Sequence, residues 1–406
     1  MSTSRTLPVF MTPVSMLLTV GFLIMFLASA IKGAYQAYFA DLARHFGTGR
    51  AQFALSGSLF MLASGVMSPL AGGLAQRLGP LRTVLLGSLC AGAAFLALAL
   101  LPVGWVGFAL IYGLLGAFAL TAMTFVPMGV LVDRAVAGEH RTLAYAAVTN
   151  GTAIGFIALA PLWLWLEGQV DWKNVFLCIG AVFAIVIPAA VRRAMHLERQ
   201  SAAEQPAQAE RVDWARLVAD RRFFALALSF ASCGATMAFI DVHLVPFWQD
   251  ARLPWSLQAS SLSLLGVLEL ASGIAAGALA MRLNKVALLA GFYLLRCVAM
   301  GLLSSQSPQL HTTVFAMVFG ASYMGTVVLT AALCLDLYGP GQKGPVFGLM
   351  FMAHQFGALF VTQLGGWDAD THGSYQFTIQ TLTFATVSAA LLCSSLAASP
   401  PVPASK

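Results

Sequence analysis

Gly72-Gly73-Leu74-Ala75-Gln76-Arg77-Leu78 closes an apolar run at a basic turn, and 205 residues later Gly277-Ala278-Leu279-Ala280-Met281-Arg282-Leu283 does the same. Upstream, Ser56, Ser58 and Leu59 map onto Ser261, Ser263 and Leu264 at that offset, so the chain reads as an internal repeat. Outward from these blocks, apolar runs bounded by Gly, Pro and charge fall at 14–38, 52–75, 83–101, 104–131, 142–166 and 174–192. A second set follows at 223–247, 256–281, 286–304, 309–335, 344–366 and 374–397. A helix of about 20 apolar residues crosses the hydrocarbon core. The expected fold is therefore an all-α membrane protein, with twelve transmembrane helices in two pseudo-symmetric six-helix bundles.

Composition agrees. The chain is 59% hydrophobic and 9% charged, with a mean hydropathy of +0.81, whereas soluble domains carry about 25% charged residues. Cys90, Cys178, Cys233, Cys297, Cys334 and Cys393 all fall in apolar runs without a CxxC pair or adjacent His cluster, which points away from a disulfide frame or a metal site. Arg5 precedes an apolar run, Val14 to beyond Ile31, that exceeds a signal-peptide core and reads as a retained first span.

The net charge of +6 is explained by topology, not by a nucleic-acid partner. One side collects Arg5, Arg77, Arg82, Arg134, Arg141, Arg192, Arg193, Arg199, Arg211, Arg216, Arg221, Arg222, Arg282, Lys285, Lys343 and Lys406. The other holds Arg44, Arg50, Lys173 and Arg252. Positive residues concentrate on the cytoplasmic side, so both termini are expected there. The longest polar segment gives the domain plan: 1–193 as an N-terminal six-helix bundle, 194–222 as a cytoplasmic linker, and 223–406 as a C-terminal six-helix bundle with a short tail. The linker's arginines are placed on anionic lipid headgroups, at ~1 kcal/mol for each basic residue near the surface.

Gly72-Gly73-Leu74-Ala75-Gln76-Arg77-Leu78-Gly79-Pro80-Leu81-Arg82 resembles the GxxxDRxGR(K/R) loop signature of the major facilitator superfamily. The resemblance implies that Gly72, Gln76, Arg77, Gly79 and Arg82 form a gating loop, although Gln76 stands where the family has Asp and the charge contact there must be weakened or replaced. His243-Leu244-Val245-Pro246, Gly365-Gly366-Trp367-Asp368 and Gly373-Ser374-Tyr375 resemble the bacterial branch of the monocarboxylate porter family. That family carries an Asp and, four residues later, an Arg in span eight. Here Glu269 and Gly273 occupy those places, so the expected carboxylate-binding guanidinium is missing. The resemblance implies a monomeric transporter of the bacterial inner membrane, with its substrate site between the halves near mid-membrane.

Lys32 and Arg296 are the basic residues within spans, and a charge in lipid is expensive without a partner or water. Lys32, beside Tyr35 on span one, reads either as a carboxylate-binding group or as a side chain reaching the interface. Glu269 and Arg296 share a depth of ~17 Å above the inner turn, which suggests either a buried ion pair or a proton carrier with its releasing partner. Asp241 and His243 sit on span seven at the places of Gln36 and Tyr38 on span one. His243 reads equally as a titrating group or as a helix-end cap. Asn150, Tyr323, His354 and Gln355 add hydrogen-bonding groups on spans that line the cavity in this superfamily.

Phosphate loops, catalytic triads and metal-spaced histidines do not appear. No enzyme activity and no cofactor are expected. The expected function is secondary transport of a small organic anion coupled to protons. An exporter of hydrophobic or cationic compounds remains the alternative, and a membrane sensor or structural protein a third reading.

Overall fold

The computed structural model describes residues 12–48, 50–167, 169–201, 214–304 and 308–396, which are helical almost throughout and contain no strand. Arg5, Arg211 and Lys406, used for sidedness, and the middle of the expected linker lie outside the described residues. Eleven helices are long and apolar enough to cross a membrane, and the chain is a multi-pass membrane protein. One of the eleven, Thr312–Ala369, is 58 residues long and contains expected spans ten and eleven together.

That merger is where the structure departs from the expected span boundaries. The polar turn between spans ten and eleven is a helical corner: helix Pro308–His372 leaves helical geometry at Gly339, with φ 72 and ψ 170. Glycine takes a positive φ without steric penalty, and Pro340 suits the first position of the helix that follows. The Gly365–Asp368 stretch, expected to close span eleven, lies inside this helix, and the turn comes at Gly373 with φ 61.

The repeat is visible in the backbone itself. Span one, Pro13–Ala37, stops at Tyr38 and is followed by helix Phe39–His45; span seven, Arg221–Val242, stops at His243 and is followed by Leu244–Asp250. Each of these paired boundaries from Ala37 onward differs by 205, as do the starts of span two (Arg50–Leu78) and span eight (Trp255–Leu279), and of span three (Pro80–Leu100) and span nine (Lys285–Leu303). Caps fix several starts: the Thr12 side chain accepts from the Ser15 N–H, Asp220 from that of Arg222, and Asn284 from those of Val286 and Ala287. Such caps satisfy donors that the first helical turn leaves open.

Span four, Trp105–Ala135, span five, Arg141–Glu167, and span six, Trp172–His196, complete the first set of helices, and span twelve is Gln376–Leu396. Contacts gather within each set: span one with five and three with four in the first, and span seven with ten, eleven and twelve in the second. Between the sets, span two meets the ten–eleven helix and span five meets span eight. Small residues permit the closest approaches, as at Gly151, where an added Cβ would overlap the Phe22 carbonyl.

Candidate functional site

The face carrying the ends of span six and the start of span seven, here the linker face, is sealed between the two sets. A Cβ on Gly72 would overlap the carbonyl oxygen of Gly344, so the two backbones touch directly. Gln76, where an Asp was the family pattern, donates from Nε2 to the Pro340 carbonyl across the seam at 2.6 Å, and its own carbonyl accepts from Arg134 at 2.9 Å. Arg77 and Arg82 point outward and Gly79 forms the turn with φ 100. The charge contact across this seam is Asp133 with Lys343, at 2.5 Å and with side chains only 10% and 4% exposed. Lys343 also lies 5.8 Å over the Tyr145 ring, and Phe125 stacks on Phe351. A cavity of about 150 Å³ sits behind the pair, lined by both sets.

Nearer the far face, polar groups gather on spans one, seven, eight and ten. Asp241 is exposed, and Lys32, Glu269 and Tyr323 are half-buried. Among the described residues Lys32 makes no direct ion pair, but its ammonium and the Asp241 carboxylate interact across the space between spans one and seven. Tyr323, His354 and Glu269 lie in the surroundings of Asp241. A cation from the first set therefore confronts two carboxylates from the second, an arrangement able to bind an anion at Lys32 and to take up or give off a proton at the acids.

The expected Glu269–Arg296 pair is not formed. Arg296 is fully buried, but among the described residues its partners are hydroxyls and carbonyls: Nη2 donates to the Ser322 carbonyl at 2.7 Å and to the Tyr323 carbonyl at 2.9 Å, and Nη1 to Thr236 Oγ1 at 3.2 Å. Its Cζ lies 5.1 Å from the Phe319 ring. Equal depth on neighbouring helices did not bring the two charges together, because span nine turns Arg296 toward spans seven and ten.

Two other candidates, Tyr35 and His243, are packed away from the central space. Tyr35 is buried among Phe53, Phe108 and Tyr112, its ring 4.4 Å from that of Tyr112, with its hydroxyl 2.9 Å from Ser56 Oγ. His243 Nε2 lies 3.0 Å from the Thr362 carbonyl, and its ring packs on Tyr375, so it ties span seven to span eleven. Asn150 bridges the two sets through Nδ2 to the Leu270 carbonyl at 3.1 Å, and its buried Oδ1 has no partner. Position 273 has no room for an arginine in this state: a Cβ there would lie 3.1 Å from Asn150 Oδ1 and 3.2 Å from Met324 Cβ. His354 Nδ1 lies 3.2 Å from Gln355 Oε1, and Gln355 Cβ would sit 3.1 Å from a Cβ on Gly65 across the seam.

Sequence reasoning missed the Asp133–Lys343 contact and the hydroxyls that hold Arg296. Lys343 counted only as one of the basic residues of the cytoplasmic side, and the helical corner at Gly339 turns it inward.

Comparison with known proteins follows the same lines. The pattern of the Major Facilitator Superfamily matches residues 21–362. An uncharacterized MFS-type transporter, YcxA, of Bacillus subtilis (strain 168) is 27% identical, over 89% of this chain and 90% of its own. Monocarboxylate transporter 13 of Rattus norvegicus is 25% identical, over 91% and 84%. Among solved structures, the transporter FucP in the outward conformation superposes with a TM-score of 0.68 at 14% identity, covering 93% of this chain and 98% of that one. The human organic anion transporter MFSD10 gives 0.66 at 18% identity, covering 94% and 99%. At these identities the two structures attest the fold.

Proposed function

This chain belongs to the Major Facilitator Superfamily, and on that premise we propose that it moves a small organic anion of the monocarboxylate kind, with protons, by alternating access. It is a transporter and not an enzyme, as its relatives and structural neighbours are. In this reading residues 1–193 and 223–406 are two bundles that rock about the central space, joined by 194–222. The linker face is cytoplasmic, the membrane is a bacterial inner membrane, and the protein works as a monomer. Parallel six-helix halves with a site at their interface are the working plan of such transporters.

The observation that carries the substrate class is Lys32. Among the described residues it is a cation beside Asp241 with no direct ion pair, and the family's usual guanidinium position is a tightly packed glycine. A solute carboxylate entering the space competes with Asp241 for that ammonium. A proton on Asp241 or Glu269 removes the competition, so anion and proton enter together. The same two carboxylates support the rival reading, a proton-driven exporter of hydrophobic or cationic compounds, because two acids against one lysine also suit a positive solute.

Counterflow in proteoliposomes separates these readings. Preloaded lactate or pyruvate is expected to drive uptake of the labelled acid, whereas counterflow of lipophilic cations without that of either acid gives the rival the site. A second measurement addresses coupling: Glu269→Gln is expected to keep exchange, which needs no net proton movement, and to lose gradient-driven accumulation. Retained accumulation in Glu269→Gln removes Glu269 from the proton path.

A further inference from the structure

We propose that the linker-face cavity is a binding site for a small free oxyanion, held between Arg141 of the first set and Lys285 and Lys343 of the second. The cavity measures about 150 Å³, where a single water needs only roughly 15 Å³. It is separate from the central space, because neither Lys32 nor Glu269 lines it. Arg141, Thr142 and Tyr145 at the start of span five form one wall, and the second set forms the other.

The sign of the ligand follows from which charges on the wall are already matched. Asp133 is taken up by Lys343 at 2.5 Å, and Asp336 by Lys285 at 2.7 and 3.0 Å. Glu139 also lines the cavity, but it sits in the exposed turn Gly138–His140, where water solvates it. Arg141 is the half-buried charge left over. Its Nε donates to the Val136 carbonyl at 2.7 Å, which anchors the guanidinium to the end of span four, and among the described residues neither Nη has a partner. Two parallel donors on an anchored plane match the edge of a carboxylate or a phosphate.

The lysines complete the site without leaving their acids. An ammonium has three donors; Lys285 uses two on Asp336, and Lys343 one on Asp133. Each keeps a donor for an oxyanion resting on Arg141. An anion so held is bonded to both sets at once, and it clamps the linker face shut. In the transport cycle proposed above, a small anion that accumulates on that side therefore slows the opening of that face. This consequence rests on the alternating-access reading, whereas the site itself does not.

The test follows alkylation of a reporter, Ala332→Cys, in the full-length protein in detergent. Ala332 is buried on the cavity wall, and the protein that keeps Ala332 gives the background of the six native cysteines. Inorganic phosphate is titrated at an ionic strength held constant with potassium chloride, so that screening is the same throughout. It is expected to slow labelling saturably. Arg141→Gln is expected to raise the half-protecting concentration by about 10-fold or more, the worth of a charge-assisted contact, and Arg141→Lys to raise it less. Lys32→Gln is expected to leave it unchanged. Should Arg141→Gln fail to fold, Lys285→Gln carries the same expectation, because its partly exposed pair with Asp336 adds little to stability. Absence of saturable protection, protection untouched by Arg141→Gln or Lys285→Gln, protection lost in Lys32→Gln, or protection by phosphatidylglycerol vesicles without protection by phosphate each overturns the proposal. Absence of lactate counterflow would sink the substrate reading alone, because protection by phosphate stands without it.

Discussion

The two sets of helices share a scaffold and differ in charge. At positions 205 residues apart, Lys32 faces Met237 in the repeat, Gln36 faces Asp241, Ser64 faces Glu269 and Ala91 faces Arg296. The helix breaks at Tyr38 and His243 are duplicated; the ionisable groups beside them are not. Backbone geometry was thus kept in both halves, while the first retained one cation for the central space and the second two acids. On the proposed function, a site split in this way is complete only when both halves face the same solute, which would link binding to the arrangement of the halves.

The largest expected effect lies at the linker-face seam, where opposite signs meet with the order reversed, Asp133 of the first set against Lys343 of the second. Removing one member of a buried pair leaves an unpaired charge, at roughly 3–5 kcal/mol. Lys343→Ala should therefore lower the melting temperature and expose a reporter cysteine placed in the linker-face cavity. The double variant Asp133→Asn with Lys343→Gln should recover most of the loss. Equal labelling of Lys343→Ala and wild type would show that the pair does not hold the seam.

The middle effect tests the division of labour directly. Lys32→Gln should weaken carboxylate binding by about 10- to 100-fold, the worth of a charge-assisted contact, with folding near normal, and Lys32→Arg should keep part of it. Moving the charge to the other half, Lys32→Met with Met237→Lys, should not restore transport. If it does, which half supplies the cation is immaterial. The smallest effect is Gly273→Ala, whose methyl meets Asn150 and Met324 at 3.1 and 3.2 Å. A loss of about 1 kcal/mol in thermal unfolding is expected, and a gain would mean that the seam between spans five and eight has slack.

Hydrophobic length and the 205-residue offset made the spans and the repeat legible, because both are one-dimensional properties of a helix. Lys32, Asp241 and Glu269 were legible for the same reason: a charge in an apolar run is conspicuous. What the sequence withheld was rotation. Depth along the axis paired Glu269 with Arg296, but which side of span nine faces span ten is decided by packing around Phe319 and Ser322. Tyr35 and His243 read as cavity residues from their helix and height, and aromatic neighbours distant in sequence, Phe53 for Tyr35 and Tyr375 for His243, enclose them instead. The Gln76 contact was hidden because its acceptor, the Pro340 carbonyl, is a backbone atom of the other half.

The corner at Gly339 also bears on how force travels. Spans ten and eleven meet there without slack, so the pair works as a bell-crank with one residue for its pivot. A tilt of span ten, on which Tyr323 sits, would swing the arm that carries Lys343, and in the proposed cycle a proton or solute event near the far face would be delivered as leverage on the Asp133 latch.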